Sequence, residues 1–252
     1  MTLNEALAKY CLRIGDSSLI WGQRMAEWCS KGPVLEEDIA LSNIGLDLFG
    51  QSRTMLTYAG EVEGKGRTEN DFAFKRFERD FFNSLLAERP NGHFGDTVAR
   101  NLCLSAFSFH FYTALKESAD ATISAFAVKS LKEVTYHLRH SAEWMIRLGD
   151  GTEESHDKVQ QSLNELWEYT EDLFAMNEVD ELLIEKKIAI DLRDIKPLWN
   201  DTMNEILERA TLIRPEDSYM QKGSLEGMHS EDLGHLLTEM QFLPRAYPND
   251  KW

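Results

Sequence analysis

Apolar residues recur every three or four positions along most of the chain, which is the pattern of amphipathic helices. Over residues 3–29 the series comprises Leu3, Leu7, Tyr10, Ile14, Trp21, Met25 and Trp28. Similar series over 34–60, 94–118 and 120–149 indicate three more long helices. The pattern therefore predicts four long helices.

Shorter helices are predicted between and after these four. The Phe-rich stretch 72–88 has helical spacing, and a helix over 152–174 has Thr152 as its N-cap. Two more are predicted around 191–213 and 230–243. Gly149 is predicted to end the fourth long helix in the left-handed conformation. No stretch alternates as a strand does, so we predict a single all-α domain over residues 1–252, a four-helix bundle with additional shorter helices.

Charged residues are distributed unevenly along the chain. The net charge is −16, with 17 basic and 19 acidic residues in 1–149 but 8 and 23 in 150–242. An acidic surface cannot neutralise phosphates, so a nucleic-acid partner is not expected. The acidic part is interpreted as a solvated face, and a docking surface for a basic partner is the alternative.

The N-terminal residues, the length of the apolar runs and the cysteines indicate the cell compartment in which the protein is expected. The N-terminus lacks a basic start followed by an apolar core, and no apolar run approaches the ~20 residues of a membrane span. Cys11, Cys29 and Cys103 form neither a disulfide framework nor a zinc motif. We expect a cytoplasmic protein with no membrane contact.

One stretch of the fourth helix resembles half of an iron site. Glu133, His137 and His140 share a helix face, and carboxylates with imidazoles are ligands of non-haem iron. A two-iron bundle needs Glu from two helices and Glu-x-x-His from two others. Here Tyr136 stands three residues after Glu133, and His137 lies one residue later, about 100° further round the axis.

The other half of such a site is also incomplete. Asp47 is followed three residues later by Gly50, residues 1–92 contain no histidine, and Glu27 is nearly alone. Glu27, Asp47, Glu133 and His137 are therefore interpreted as vestigial diiron-like positions. We predict no metal ligand, catalytic residue or cofactor-binding residue in this chain. Glu133 and His137 are expected in a buried or half-buried polar network.

Other catalytic patterns are weaker. The chain has no Gly-rich phosphate loop after a strand and no Gly-x-Ser-x-Gly elbow. Lys75, Arg76 and Arg79 could bind an anion such as a coenzyme A phosphate. Surface ion pairs with Glu78 and Asp80 are the favoured interpretation.

Four stretches resemble a known family. They are "NIGLDLFGQSR" (43–53), "FERDFFNSLLAERPNGHFGDTVAR" (77–100), "KEVTYHLRHSAEWMIRLGDGT" (132–152) and "GMHSEDLGHLLTEMQFLPR" (227–245). They are similar, in order and spacing, to the C subunits of phenylacetyl-CoA 1,2-epoxidases, bacterial multicomponent oxygenases of phenylacetate catabolism. The similarity runs nearly end to end.

The resemblance implies a ferritin-like fold and a set of partners. In this family a separate A subunit holds the diiron centre and the coenzyme A thioester, and the C subunit supports it without functional metal ligands. A small B subunit bridges the assembly, and a reductase with flavin and an iron–sulfur cluster supplies electrons from NADPH. The ligand spacing worked out above agrees with the C role.

Three hypotheses follow. The leading one is a non-catalytic structural subunit of the epoxidase complex, working as a heterodimer with the A subunit. The alternatives are a divergent diiron oxygenase active in its own right and a standalone acyl-coenzyme A-binding helical module. The contact with the A subunit is placed on the helix over 230–243 and the first long helices, with intramolecular packing of that C-terminal helix as the alternative. Whether the isolated chain forms a homodimer stays open.

Overall fold

A computed structural model describes residues 1–248 and 250, and within them the chain forms ten α-helices and no β-strand. The all-α prediction is confirmed. Three short 3-10 turns cover Glu78–Asp80, Thr170–Phe174 and Ser224–Glu226. The helices are α1 (Leu3–Ala26), α2 (Leu35–Glu63), α3 (Glu69–Phe74), α4 (Leu85–Glu88), α5 (Phe94–Leu115), α6 (Ala121–Gly149), α7 (Glu153–Trp167), α8 (Glu178–Glu185), α9 (Leu192–Arg209) and α10 (Glu231–Ala246).

The four predicted long helices are α1, α2, α5 and α6, and local capping explains where they begin and end. Thr2 and Glu5 form a reciprocal capping box at the start of α1. The side chain of Asp120 accepts hydrogen bonds from Thr122 N and Ile123 N, both at 3.0 Å, at the start of α6. Gly64, at φ 68°, ends α2 in the left-handed conformation.

The predicted helix over 72–88 is wrong. The chain forms α3, a 3-10 turn and the four-residue α4 instead. Long-range partners take the backbone groups that a helix would use: Phe82 N donates to Asp16 Oδ2 at 3.0 Å and Ser84 N donates to Ser17 Oγ at 3.1 Å. The apolar residues of this stretch are therefore buried by a series of short helices and turns, and not by one continuous helix.

The predicted cap at Gly149 also differs. Gly149 is helical, and the residue after α6, Asp150, has a negative φ. An added Cβ at Gly149 would lie 2.2 Å from the carbonyl oxygen of Ala210, so the glycine allows close approach of two backbones. Ser230 precedes α10 but its side chain makes no capping hydrogen bond. The Thr152 cap of α7 is confirmed, since Ser155 N donates to Thr152 Oγ1 at 3.2 Å.

The chain divides into two compact units. Unit 1 consists of residues 1–90, 177–182 and the described residues from Gly223 onward, and unit 2 consists of 91–176 and 183–222. The single domain over 1–252 stays a prediction. No helix of the described residues is long and apolar enough to cross a membrane.

Unit 1 is built on the antiparallel pair α1 and α2. Glycines set the contact: an added Cβ at Gly22 would lie 3.2 Å from Leu48 Cβ, and one at Gly45 would lie 3.3 Å from Met25 Cβ. Almost every side of α1 is buried. Helix α10 packs on α3 and α4, and Gln241 Nε2 donates to the carbonyl oxygen of Ala73 at 3.0 Å.

Unit 2 is built on the antiparallel pair α5 and α6, with α7 and α9 packed on α5. Phe94 meets Trp144 at a ring distance of 5.0 Å near one end, and Tyr112 meets Phe126 at 5.4 Å near the other. The core is aromatic around Trp199, whose indole N–H donates to the carbonyl oxygen of Cys103 at 3.0 Å. Its ring lies 5.5 Å from two others, those of Trp167 and Phe174.

Candidate functional site

Two of the four diiron-like positions lie on α6 in unit 2. His137 is buried, and Glu133 is half-buried with its carboxylate 3.7 Å from the Lys129 ammonium. The hydroxyls of Ser105 on α5 and Ser130 on α6 are also buried and have no hydrogen-bond partner within the described residues. The interior of unit 2 therefore contains polar side chains on α5 and α6. The burial of the two side chains agrees with the expectation, and the hydrogen-bonded network around them stays a prediction.

The other two positions lie in unit 1. Glu27 follows the last residue of α1, and its carboxylate accepts a hydrogen bond from Arg24 Nη1 at 2.9 Å. Asp47 is half-buried on α2. A carboxylate paired with a guanidinium is already neutralised, so Glu27 is a poor ligand for a cation.

These residues do not fit a two-iron centre. No three His, Cys, Asp or Glu side chains come together as a metal-ion site within residues 1–248 and 250. The position three residues after Glu133 carries the phenol of Tyr136, which is partly exposed. Without a Glu-x-x-His pair on either candidate helix, the donor set lacks the imidazoles that such a centre uses.

A buried ionic cluster that the sequence reasoning missed lies in unit 1. Glu88, at the end of α4, binds the start of α10: its carboxylate accepts from Ser230 N at 2.7 Å and lies 2.8 Å from His229 Nδ1. Asn83 Nδ2 donates to the same carboxylate at 2.9 Å. The carbonyl oxygen of Glu88 accepts from Arg24, with Nη2 at 2.7 Å.

The protonation of this cluster follows from its acceptors. His229 Nε2 lies 3.0 Å from the carbonyl oxygen of Phe81, which can only accept, so Nε2 carries a proton. A second proton then lies between His229 Nδ1 and the Glu88 carboxylate. This bond is buried, since both side chains are almost inaccessible. It joins two of the family-like stretches, 77–100 and 227–245.

A second buried pair joins Arg76 to Asp16 of α1. Arg76 Nη1 donates to Asp16 Oδ2 at 3.0 Å, and Nη2 contacts the other oxygen. Arg76 also donates to the carbonyl oxygens of Phe72 at 2.6 Å and Asp80 at 2.8 Å. The predicted surface ion pairs with Glu78 and Asp80 are therefore wrong for Arg76, which is buried.

A third ion pair in unit 1 links Arg13 of α1 to the buried Asp180 at the start of α8. The sequence carries a weak signal for two of these three pairs. Asp16 is the only charged residue of 14–23, and Glu88 is the only one of 81–88. A lone charge inside an apolar run predicts a buried partner, but the run does not show which residue that partner is.

The predicted anion cluster does not form a basic site. A cleft of about 840 Å³ in unit 1 is lined by Lys65, Arg67, Arg76 and Arg79, but also by acidic residues. Arg67 Nε donates to Glu63 Oε2 at 2.7 Å, and hydrogen bonds from Arg67 and Lys65 lower the pKa of the Glu63 carboxyl. Lys75 pairs with Asp71 at 2.6 Å. Basic and acidic side chains are mixed along this cleft, and Arg67 is already paired with Glu63, so the cleft is not a purely basic site for a phosphate.

Burial disfavours chemistry at two of the three cysteines, while the third, Cys29, is exposed. Cys11 and Cys103 are buried, and burial raises the pKa of the Cys103 thiol to about 12. A thiol that stays protonated at neutral pH is a poor nucleophile.

The helices define an all-α protein of the ferritin-like class, and the part of the chain that the structure describes brings no three metal-ligating side chains together. The chain belongs to the phenylacetic acid catabolic protein family, whose model matches residues 2–252. It is similar to the C subunit of 1,2-phenylacetyl-CoA epoxidase from Escherichia coli (strain K12). The two are 45% identical over 246 residues, which cover 98% of this chain and 99% of the relative.

Proposed function

We propose that this chain is a non-catalytic, structural subunit of a phenylacetyl-CoA 1,2-epoxidase in aerobic phenylacetate degradation. The observation that carries the proposal is the 45% identity to the C subunit of such an enzyme over 98% of this chain. An identity of this size over almost the whole length supports the same role in an assembly.

The donor chemistry of the chain supports a role without metal. Glu27 is bound to Arg24, Glu133 lies beside Lys129, and no Glu-x-x-His pair accompanies either carboxylate. We infer that the diiron centre and the coenzyme A thioester are held by a separate A-type subunit. A bridging B subunit and a reductase with flavin, an iron–sulfur cluster and NADPH complete the proposed complex.

A supporting protein of this kind provides a rigid surface. In unit 1 the Glu88–His229 and Asp16–Arg76 pairs fix α4, α10 and the segment around Arg76 relative to α1. Buried pairs of this kind add conformational specificity in some proteins, even where an apolar core would be as stable. We infer that they hold the surface that a partner subunit recognises.

The test is to express the chain with and without its A-type partner and to measure phenylacetyl-CoA epoxidation and bound iron. With the B subunit, the reductase, NADPH and oxygen present in both assays, we expect the chain alone to be inactive and to hold far less than one iron per molecule, while the pair is active. Substantial activity or near-stoichiometric iron in this chain alone would overturn the proposal.

Two variants distinguish the alternatives. If the chain were a diiron oxygenase in its own right, Glu133→Ala would remove bound iron, and Glu133→Asp would retain part of it. For a structural subunit, both variants leave the iron content of the isolated chain unchanged. Calorimetry of the isolated chain with phenylacetyl-CoA checks the acyl-coenzyme A-binding alternative, for which heat of binding is expected without any partner.

A further inference from the structure

The amino end of α10 is bound by a carboxylate from a distant part of the chain. The side chain of Ser230 makes no capping hydrogen bond. Oε1 of Glu88, which is 142 positions away, instead accepts a hydrogen bond from Ser230 N at 2.7 Å. A carboxylate at the amino end of a helix also interacts favourably with the helix dipole. The attachment of α10 to the rest of unit 1 therefore depends on Glu88.

His229, the residue before Ser230, holds the same carboxylate from a second side. Its Nδ1 lies 2.8 Å from Glu88 Oε2, and its Nε2 lies 3.0 Å from the carbonyl oxygen of Phe81. The side chains of His229 and Glu88 are 3% and 0% exposed. Water therefore cannot replace either hydrogen bond while α10 stays docked.

The geometry of the Glu88–His229 pair requires one proton between the two side chains. The Phe81 carbonyl oxygen can only accept, so Nε2 carries a proton of its own. If the shared proton is lost, Nδ1 and Oε2 face each other as two acceptors at 2.8 Å. If Nδ1 takes the proton of Nε2, the two facing acceptors are Nε2 and the Phe81 oxygen. In both cases a buried hydrogen bond becomes a repulsion.

An additional proton does not fit the pair either. Glu88 Oε1 faces the N–H of Ser230, and Oε2 faces the amide N–H of Asn83 at 2.9 Å. A proton on either oxygen would then point at another donor, or at the proton on His229 Nδ1. The pair is therefore intact only over a range of pH in which it holds one shared proton.

The other charged groups around the pair keep their charge near neutral pH, with one exception. Guanidinium groups and carboxylates do not change their ionisation between about pH 6 and pH 10. The exception is His235, which is exposed on α10 and is separate from the pair in sequence. The surrounding charged residues are Arg24 and Glu27 at the end of α1, Glu78, Arg79 and Asp80 of the 3-10 turn, Arg89 after α4, and Glu231 and Asp232 on α10.

The rest of α10 is attached by contacts that do not depend on pH in this range. Gln241 Nε2 donates to the carbonyl oxygens of Ala73 at 3.0 Å and Arg76 at 3.2 Å. The segment 223–230 that leads into α10 contains only the 3-10 turn Ser224–Glu226. The first turns of α10 can therefore move away from α4 without unwinding another helix.

We propose that the Glu88–His229 pair is a pH-sensitive device that keeps the first turns of α10 docked at neutral pH and releases them as the pH rises. In water an imidazole loses its second proton near pH ~6.5, and one held by acceptors keeps it to higher pH. The docked form thus binds one more proton than the open form, so a rise in pH favours the open form. Release uncovers Leu233, Leu236 and Leu237, which are buried while α10 is docked.

The experiment is hydrogen exchange of the full chain, followed by mass spectrometry, between about pH 6.5 and pH 9.5. The measured quantity is the protection factor, which corrects for the pH dependence of exchange in an unstructured peptide. One linked proton changes the opening equilibrium by up to about tenfold per pH unit. We expect the protection of residues 231–240 to fall at least about tenfold over the range. The protection of α6, in unit 2, should stay constant.

Two variants remove the shared proton. In Glu88→Gln the amide N–H can donate to Nδ1 of a neutral His229, and the amide oxygen can still accept from Ser230 N. In His229→Gln no group of the pair titrates in this range. We expect weaker protection of α10 than in the unsubstituted chain at about pH 6.5, and no further loss as the pH rises. If one variant does not fold, the other decides the result.

Two matched controls separate the device from a general weakening of α10. His235→Gln removes the exposed histidine of the same helix. Gln241→Met removes the hydrogen bonds to Ala73 and Arg76 without touching the pair. We expect the pH dependence to persist in both controls, although Gln241→Met lowers the protection at every pH.

Each outcome has a defined meaning. A fall in the protection of α10 in the unsubstituted chain and both controls, and its absence from Glu88→Gln and His229→Gln, supports the proposal. Constant protection of α10 in the unsubstituted chain overturns it. A fall that persists in a folded variant of the pair, or that disappears in His235→Gln, assigns the effect to another group and also overturns it. An equal fall in α6 would show global unfolding in place of local release, with the same consequence.

Discussion

The two units of the molecule place charge and apolar surface in opposite ways. Unit 1 buries ionic pairs such as Asp16–Arg76 and Glu88–His229, yet exposes Leu35, Ile39 and Leu46. Unit 2 buries an aromatic cluster around Trp199 and presents Lys132, Arg139, Glu143 and Arg147 on the outer face of α6. Among the described residues, eleven of the sixteen exposed large apolar side chains belong to unit 1.

This inversion is clearest between α2 and α6, which both have 29 residues and each pack antiparallel to one other long helix. Length and main pairing are the same, although α6 also packs on α7 and α9, and the two helices differ in their outer faces. The charged face of α6 is suited to water, and the apolar face of α2 is not. Helix length and main pairing therefore do not determine whether the outer face of a helix is apolar or charged; the residues at the exposed positions do.

The largest expected effect concerns the buried charge of unit 1. Asp16→Ala leaves the Arg76 guanidinium buried without its carboxylate, and we expect the free energy of unfolding to fall by about 3–5 kcal/mol. Urea unfolding followed by circular dichroism measures it. The control is Asp16→Leu combined with Arg76→Met, which removes both charges and should recover most of the loss. A single-variant loss below ~1 kcal/mol would show that the pair is not desolvated.

Part of this architecture could be predicted from the chain alone. Periodicity predicted α1, α2, α5 and α6, because the signal lies within each helix. It failed over 72–88, where Asp16 and Ser17, more than 60 residues away, take the backbone donors of Phe82 and Ser84. Local propensity carries no information about partners so distant in sequence.

The same distinction applies to the candidate site. The absence of a Glu-x-x-His motif on α6 could be seen from the sequence, because the motif involves residues only three positions apart. Tyr136 occupies the position where the histidine is required. The Glu88–His229 pair spans 141 residues and required the tertiary structure. Exposure of Leu46 was also inaccessible to periodicity, since an apolar residue on a helix predicts burial until the helix is seen to have two apolar sides.

A smaller effect is expected in the aromatic core of unit 2. Trp199→Phe keeps a ring beside Trp167 and Phe174 but removes the indole donor to the Cys103 carbonyl. We expect a loss of about 1–2 kcal/mol, compared with about 3–5 kcal/mol for Trp199→Ala. Chemical denaturation of both variants measures the difference. Equal losses would mean that the hydrogen bond, and not the ring, dominates at this position.

Unit 2 also contains a half-buried histidine. Burial lowers the pKa of His110, whose ring lies 2.8 Å from Thr202 Oγ1. A base with a lowered pKa in the folded state binds fewer protons there than in the unfolded chain, so stability falls as the pH drops below 6.5. His110→Gln should flatten this part of the profile. If the melting temperature of His110→Gln changed between pH 7 and pH 5 as much as that of the unsubstituted protein, the role given to His110 would be contradicted.

The smallest effect compares two aspartates of unit 1 that both bind a basic side chain. Asp71 lies at the surface, where hydrogen bonds from Lys75 and Thr68 lower its carboxyl pKa to about 2. The contribution of the ionised Asp71 to folding stability is fully present above the unfolded pKa of 3.8. It is lost as the pH falls towards 2. We expect Asp71→Asn to cost about 0.5–1 kcal/mol at pH 7, because an exposed cap and ion pair are weak. Thermal melts at pH 7 and pH 2.5 check this, and the two proteins should converge at the lower pH. If Asp71→Asn lowered the free energy of unfolding as much as Asp16→Ala does, burial would not explain the difference between the two ion pairs. The contrast between buried charge and exposed apolar surface in unit 1 would then have no energetic basis.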